Sequence, residues 1–147
     1  MNRSYLNAAI TAVFIVAFVL VGRAQTGFVG EWQNVDPRTG GMTSIAIAPS
    51  SPNLDVQVWG KCQPSDCNWG KTRLFLVGNS IEDRSFRNAF AIWQTGFGVK
   101  YVSFSLSPDG NLLGVQTTTI FNDGSGRSNF RVTERFQRSR KDTHSKP

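Results

Sequence analysis

Seven turn signals punctuate the chain between residues 36 and 126, and they constrain its fold more than any other feature. They are Asp36-Pro37-Arg38-Thr39-Gly40-Gly41, Pro49-Ser50-Ser51-Pro52-Asn53, the segment 62–67, Gly78-Asn79-Ser80 running on to Ser85, Thr95-Gly96-Phe97-Gly98, Ser107-Pro108-Asp109-Gly110 and Asn122-Asp123-Gly124-Ser125-Gly126. Glycine supplies positive φ, proline removes a ladder donor, and Asn, Asp and Ser bond their own backbone, so such clusters interrupt regular structure. The stretches they leave are short, which suits strands and leaves little room for helices.

Those stretches alternate with a period of two. Leu54, Val56 and Val58 share one face against Asp55 and Gln57. Val102, Phe104 and Leu106 oppose Ser103 and Ser105, Leu113 to Phe121 alternates likewise, and Phe130, Val132, Glu134 and Phe136 fall on one face. No segment after residue 25 carries a capped helical period. The chain is therefore expected to be all-β, with eight sequential antiparallel strands closed into an up-and-down barrel. Closure removes the exposed edges that invite aggregation. A two-sheet β-sandwich is the alternative.

Residues 1–24 read as a signal peptide rather than as part of the fold. Arg3 gives a positive start, Ala8 to Val21 is apolar apart from Thr11, and Gly22 and Ala24 suit a peptidase cutting after Ala24. The apolar run is shorter than the ~20 residues that span a bilayer. The expected location is therefore secreted or periplasmic. In such a compartment Cys62 and Cys67, the only cysteines, are expected to form a disulfide closing a small loop. A metal site lacks further ligands, because the lone histidine, His144, lies in the tail. Neither a metal nor a cofactor is expected.

The net charge of +6 invites a nucleic-acid reading. Its distribution argues against one. The expected domain, residues 25–137, holds ten basic and nine acidic residues, and the excess sits in the leader and in the tail 138–147. That basic tail is expected to be a disordered, solubilising end, with membrane or cell-wall contact as the alternative.

The first strand reads Gly27-Phe28-Val29-Gly30-Glu31-Trp32-Gln33-Asn34. Gly-x-Trp at this place resembles the opening of the calycin barrels: lipocalins, fatty-acid-binding proteins, avidins and bacterial metalloprotease inhibitors. The resemblance implies that Trp32 plugs a closed end and that a last-strand arginine crosses it. Arg131 and Arg135 are the candidates, and Arg135, nearer the strand's end, is the expected cation–π partner. Gly30-Glu31-Trp32-Gln33-Asn34 is similar to the avidin pattern, which implies that Asn34 faces the cavity. No aspartate in the last strand matches the avidin ligand contact. The segment from Trp59 to Gly70 also resembles a signature of small exported bacterial proteins, to which no activity attaches.

In a meander barrel alternate turns share an end. Turns one, three, five and seven would then form a mouth holding Arg38, Asp66, Phe97, Asn122 and Asp123. Trp59 and Trp69 flank the disulfide loop, and Trp93 leads into the next rim turn. The expected ligand-binding set is Asn34, Arg38, Trp59, Asp66, Trp69, Trp93 and Phe97; core packing is the alternative for the tryptophans, and turn capping for Asp66. Glu134 is in phase with apolar neighbours and needs a partner if it points inward, with Arg73, Arg87 or Arg131 available. Serine and cysteine nucleophiles lack a usual base, so an enzyme is not expected.

The reading is a secreted, non-enzymatic protein that carries or sequesters a small apolar ligand. The alternatives are a module or inhibitor binding a secreted protein, and a carbohydrate-binding module. An open cavity favours the first; an interior filled by Phe90, Ile92, Phe104, Phe121 and Phe130 favours the second.

Overall fold

The computed structural model describes residues 27–139. The expected leader, residues 1–24, and residues 140–147 of the expected tail lie outside the described residues. Eight strands follow one another: β1 (Gly30–Asn34), β2 (Met42–Ser50), β3 (Asn53–Gly60), β4 (Cys67–Val77), β5 (Asn88–Thr95), β6 (Gly98–Leu106), β7 (Leu112–Phe121) and β8 (Phe130–Arg138). Each pairs antiparallel with its neighbour, and β1 pairs with β8 to close the barrel. This closure excludes the sandwich. β8 runs through Arg138, and the Ser139 N–H donates to the Glu31 carbonyl at 2.8 Å, so the folded body extends past the expected end at Gln137.

Alternation decides what fills the interior. Val56, Val58, Val102, Phe104, Leu113, Val115 and Phe136 are all buried there. Outward positions such as Gln57, Lys71, Ser103, Gln116 and Arg131 are polar. Apolar-in, polar-out is the inverse of a transmembrane barrel. On β5 the inward residues are Ala89, Ala91 and Trp93, not the expected Phe90 and Ile92. Phe90 lies on the outside, stacked on Tyr101 with ring centroids 6.4 Å apart. With Trp93 inward, its odd-numbered phase forces even-numbered Phe90 and Ile92 out.

Two β-bulges break this alternation, both near the end that holds the β1–β2 and β3–β4 turns. Between Met42 and Ser44, β2 has one residue more than β3 opposite it. Between Lys71 and Asn68, β4 likewise gains one residue on β3, at Gly70, whose φ is +85°. An extra residue flips the face of everything beyond it. Met42 therefore joins Ile45 and Ile47 inside, and Trp69 turns toward the interior although Leu74 fixes the opposite parity.

The seam between β4 and β5 is short. Only Phe75–Phe90, Leu76–Ala89 and Val77–Asn88 pair. Toward the bulged end the strands part, and the Trp93 Nε1–H donates to the Gly70 carbonyl at 3.0 Å across the gap. At the tight β5–β6 hairpin, Gly98 admits no other residue: a Cβ there would lie 2.1 Å from the Ile120 carbonyl oxygen.

Candidate functional site: the open end of the barrel

The barrel's two ends are built differently. One is plugged by Phe28 and Trp32, both fully buried, with the Trp32 Nε1–H donating to the Phe28 carbonyl at 3.0 Å. The cation over Trp32 is Arg138, not the expected Arg135. Its guanidinium carbon lies 4.3 Å from the ring centroid. Arg138 Nε donates to Gly110 O and Nη1 to Val29 O, both at 2.9 Å, and Nη2 donates to Gly27 O. Arg135 is odd-numbered on a strand whose inward residues are even, so it is exposed on the outer surface. Arg138 stands directly opposite Trp32 across the β1–β8 ladder. Gly30, at φ +139°, leaves the space: a Cβ there would lie 2.9 Å from the Arg138 guanidinium.

The other end is open, with a cavity of about 710 Å³. Its walls include Met42, Trp69, Lys100, Thr117, Thr119 and Val132, and its rim includes Asn34, Thr39, Lys61, Phe130 and Glu134. Below, Phe104, Val102, Val58 and Ile45 fill the barrel. The space is a cup in the outer part of the barrel, not a channel through it.

Glu134 is the fastening of this rim. Its carboxylate accepts hydrogen bonds from Asn34 Nδ2 at 3.0 Å, Thr39 Oγ1 at 2.9 Å and the Met42 N–H at 3.3 Å. The expected arginine partners are engaged elsewhere: Arg73 with Asn53, Arg87 with Ser107 and Arg131 with Thr118. Gly41 gives the carboxylate room, since a Cβ there would lie 2.6 Å from Oε1. Asn34 also donates to the Met42 carbonyl at 2.7 Å and accepts from the Asp36 N–H at 2.8 Å. Asn34 thus lines the cup with its amide already committed to shaping the β1–β2 turn.

The other expected site residues separate into two groups. Trp69 lines the cup; buried Trp93 packs edge-on behind it, with ring centroids 6.1 Å apart. Phe97, on the β5–β6 turn, tilts against Phe121 at 5.9 Å. Arg38 points to solvent. Trp59 is the main correction. Val58 faces in, so Trp59 faces out, beside an external hollow shared with Glu31, Gln33 and Asp66. Asp66 forms a surface ion pair with Lys61 at 3.9 Å. Cys62 and Cys67 are disulfide-bonded and close the β3–β4 turn at this same end.

Among the cup residues that the sequence reading did not assign to the site are Lys100, Thr117 and Thr119. Lys100 is in phase with Val102 and Phe104 and so points inward. Its ammonium lies 4.5 Å from the Trp69 ring centroid and 5.5 Å from that of Phe97, and it donates to Thr119 Oγ1 at 3.3 Å. Burial holds its pKa below the usual lysine range. No carboxylate lies within ion-pair distance of it among the described residues. Thr117 Oγ1 is buried and has no hydrogen-bond partner among the described residues. The alternation of β6, carried one step beyond Val102, would have found Lys100.

Beside the cup, Phe121 contacts both Phe97 and Phe130. Arg127 lies 4.0 Å over the Phe121 ring and is held by Asp123 at 2.6 Å. Among the described residues there is no group of three or more His, Cys, Asp or Glu side chains placed to hold a metal ion. No protein family matches the chain, and no curated protein is similar to it in sequence.

Proposed function

We propose that this chain is a secreted, calycin-like barrel that binds a compact small molecule non-covalently in its open end. The cavity of about 710 Å³ carries this reading. It falls within the roughly 300–1,000 Å³ that small-molecule sites occupy. Trp69 offers a flat apolar wall, and the Glu134 network holds the rim in shape before any ligand arrives. A preformed rim lowers the ordering cost of binding. The packed interior below favours a compact ligand over a long chain. The Cys62–Cys67 disulfide supports an oxidising compartment. The plug of Trp32 under Arg138 supports the calycin comparison.

Native mass spectrometry of the protein purified from its own host tests the proposal. The expected spectrum shows a non-covalent adduct that denaturation removes and that competes with a small aromatic probe for quenching of tryptophan fluorescence. A bare protein that binds no such probe overturns it.

The outer face of β4–β6 favours a second reading, a protein-binding module. Phe75, Val77 and Tyr101 are exposed there and adjoin Phe90. If that face carries the function, Phe75→Ser with Tyr101→Ser abolishes partner capture and leaves the host adduct in place.

A further inference from the structure

Resting on the reading of the open end as a ligand site, we infer that its ligand is an organic anion whose carboxylate is bound by Lys100 and Thr117. Two independent observations meet at this point of the cup. Lys100 brings a positive charge into the barrel with no carboxylate near it, and only one of its three ammonium donors has an oxygen acceptor among the described residues, Thr119 Oγ1. Thr117 lines the same cavity and is 6% exposed, and its hydroxyl oxygen is buried without a hydrogen-bond partner among the described residues. The ladder places Lys100 opposite Thr119 and Val102 opposite Thr117, so Thr117 lies one inward step deeper than Thr119 on the same wall.

A buried donor without an acceptor is costly, and so is a desolvated cation without an anion. A carboxylate relieves both at once, because one oxygen accepts from the ammonium while the other accepts from a hydroxyl. The face of Trp69 contributes a cation–π contact but no hydrogen-bond acceptor in its ring. That leaves the ammonium with its electrostatics partly met and its donors unmet. The carboxylates among the described residues lining the cup are Asp36 and Glu134, both at its rim; Glu134 accepts from Asn34, Thr39 and Met42, and Asp36 accepts from the Arg38 N–H. The ligand's apolar body would then lie between Trp69 and Val132 on the wall and Phe130 at the rim.

The test compares naphthoate with its neutral analogue naphthylmethanol, measured by calorimetry and by quenching of tryptophan fluorescence. Naphthoate is expected to bind the wild-type protein at least about tenfold more tightly, the size of one charge-assisted hydrogen bond. Lys100→Met keeps the length and apolar stem of the side chain; it is expected to erase the preference by weakening naphthoate at least about tenfold. As a second readout, naphthoate but not naphthylmethanol shifts the Lys100 side-chain resonance in spectra of lysine-labelled protein. Equal affinities in the wild type, or a preference that survives Lys100→Met because Lys61 at the rim carries it, overturns the anion site while leaving the open end as a ligand site. Failure of both compounds to bind at millimolar concentration overturns the reading of the open end itself, and the anion site with it.

Discussion

Removing Arg138 should cost more stability than removing any other charged side chain of the barrel. Its guanidinium covers Trp32 at 4.3 Å and donates to the carbonyls of Gly27, Val29 and Gly110. These carbonyls belong to the segment before β1 and to the β6–β7 turn, so one side chain ties three parts of the closed end together. A hydrogen bond from a charged donor contributes about 1.5–3 kcal/mol, and a partly desolvated cation–π contact about 1–2 kcal/mol. The sum overstates the effect, because Arg138 is only half-buried and water can replace part of what it donates. We expect Arg138→Ala to cost roughly 2–4 kcal/mol, or about 8–16 °C in melting temperature at about 4 °C per kcal/mol for a domain of this size. Arg138→Lys should recover less than half, since an ammonium cannot lie flat on the ring and reach three carbonyls at once. Arg135→Ala is the control. It is exposed on the same strand and should stay within about 0.5 kcal/mol of wild type. Urea melts followed by tryptophan fluorescence and circular dichroism give all three values. If Arg138→Ala falls within the range of the control, or if Arg135→Ala costs more, the account of the closed end is wrong.

Glu134→Ala leaves Asn34, Thr39 and the Met42 N–H without their acceptor. It should cost about 1–3 kcal/mol and speed amide exchange at Met42, and unchanged exchange there would refute its role as the rim's fastening. Thr117→Val replaces an unpaired buried hydroxyl by a methyl of similar volume and should raise stability of the unliganded protein by about 1 kcal/mol; a loss in urea melts would mean the hydroxyl has a partner. Asp83, Asp109 and Asp123 each accept hydrogen bonds from their own turns, which lowers their pKa values from 3.8 to about 2. Their folded pKa values lie below the unfolded ones, so their contribution is fully present above about pH 4 and is lost as pH falls toward about 2. Carboxyl titration by NMR should place all three midpoints near 2, and midpoints near 4 would refute the turn geometry.

The strand count, the positions of the turns and most of the inward faces were legible in the sequence because they depend on local chemistry. Turn residues fix where strands stop, and alternation fixes the inward set once one member is known. The misses have a common physical origin, which is parity. Of Arg131 and Arg135, the expected candidates, both are out of phase with inward-facing Phe136, whereas Arg138, assigned to the tail, is in phase with it. Trp59 was placed in the mouth although it follows inward-facing Val58. The same parity, applied one inward step further along β6, assigns Lys100 to the interior. Trp69 is a different case. Parity from Leu74 would put it outside, and only the bulge at Gly70 turns it in. A bulge depends on pairing between distant strands, so the glycine hints at it without fixing it. The partners of Glu134 were hidden for a related reason: the β1–β2 turn folds back over β8 from about 95 residues away in sequence, and no local pattern announces that approach.

Each end of the barrel sets an inward cation against a tryptophan, Arg138 on Trp32 at 4.3 Å and Lys100 on Trp69 at 4.5 Å. The two cations are treated in opposite ways. At the closed end three carbonyls take up the donors of Arg138, and Gly30 makes room for it. At the open end, among the described residues, Lys100 has one hydroxyl acceptor and the Thr117 hydroxyl has none. Stability alone favours the first arrangement or an apolar side chain in place of the lysine, because an incompletely paired charge in a barrel wall costs free energy. The fold is able to satisfy such a charge, as Arg138 demonstrates, so the unmet donors at Lys100 do not follow from the architecture. They follow if the missing acceptor arrives with a ligand, and that links the asymmetry of the two ends to binding at the open one.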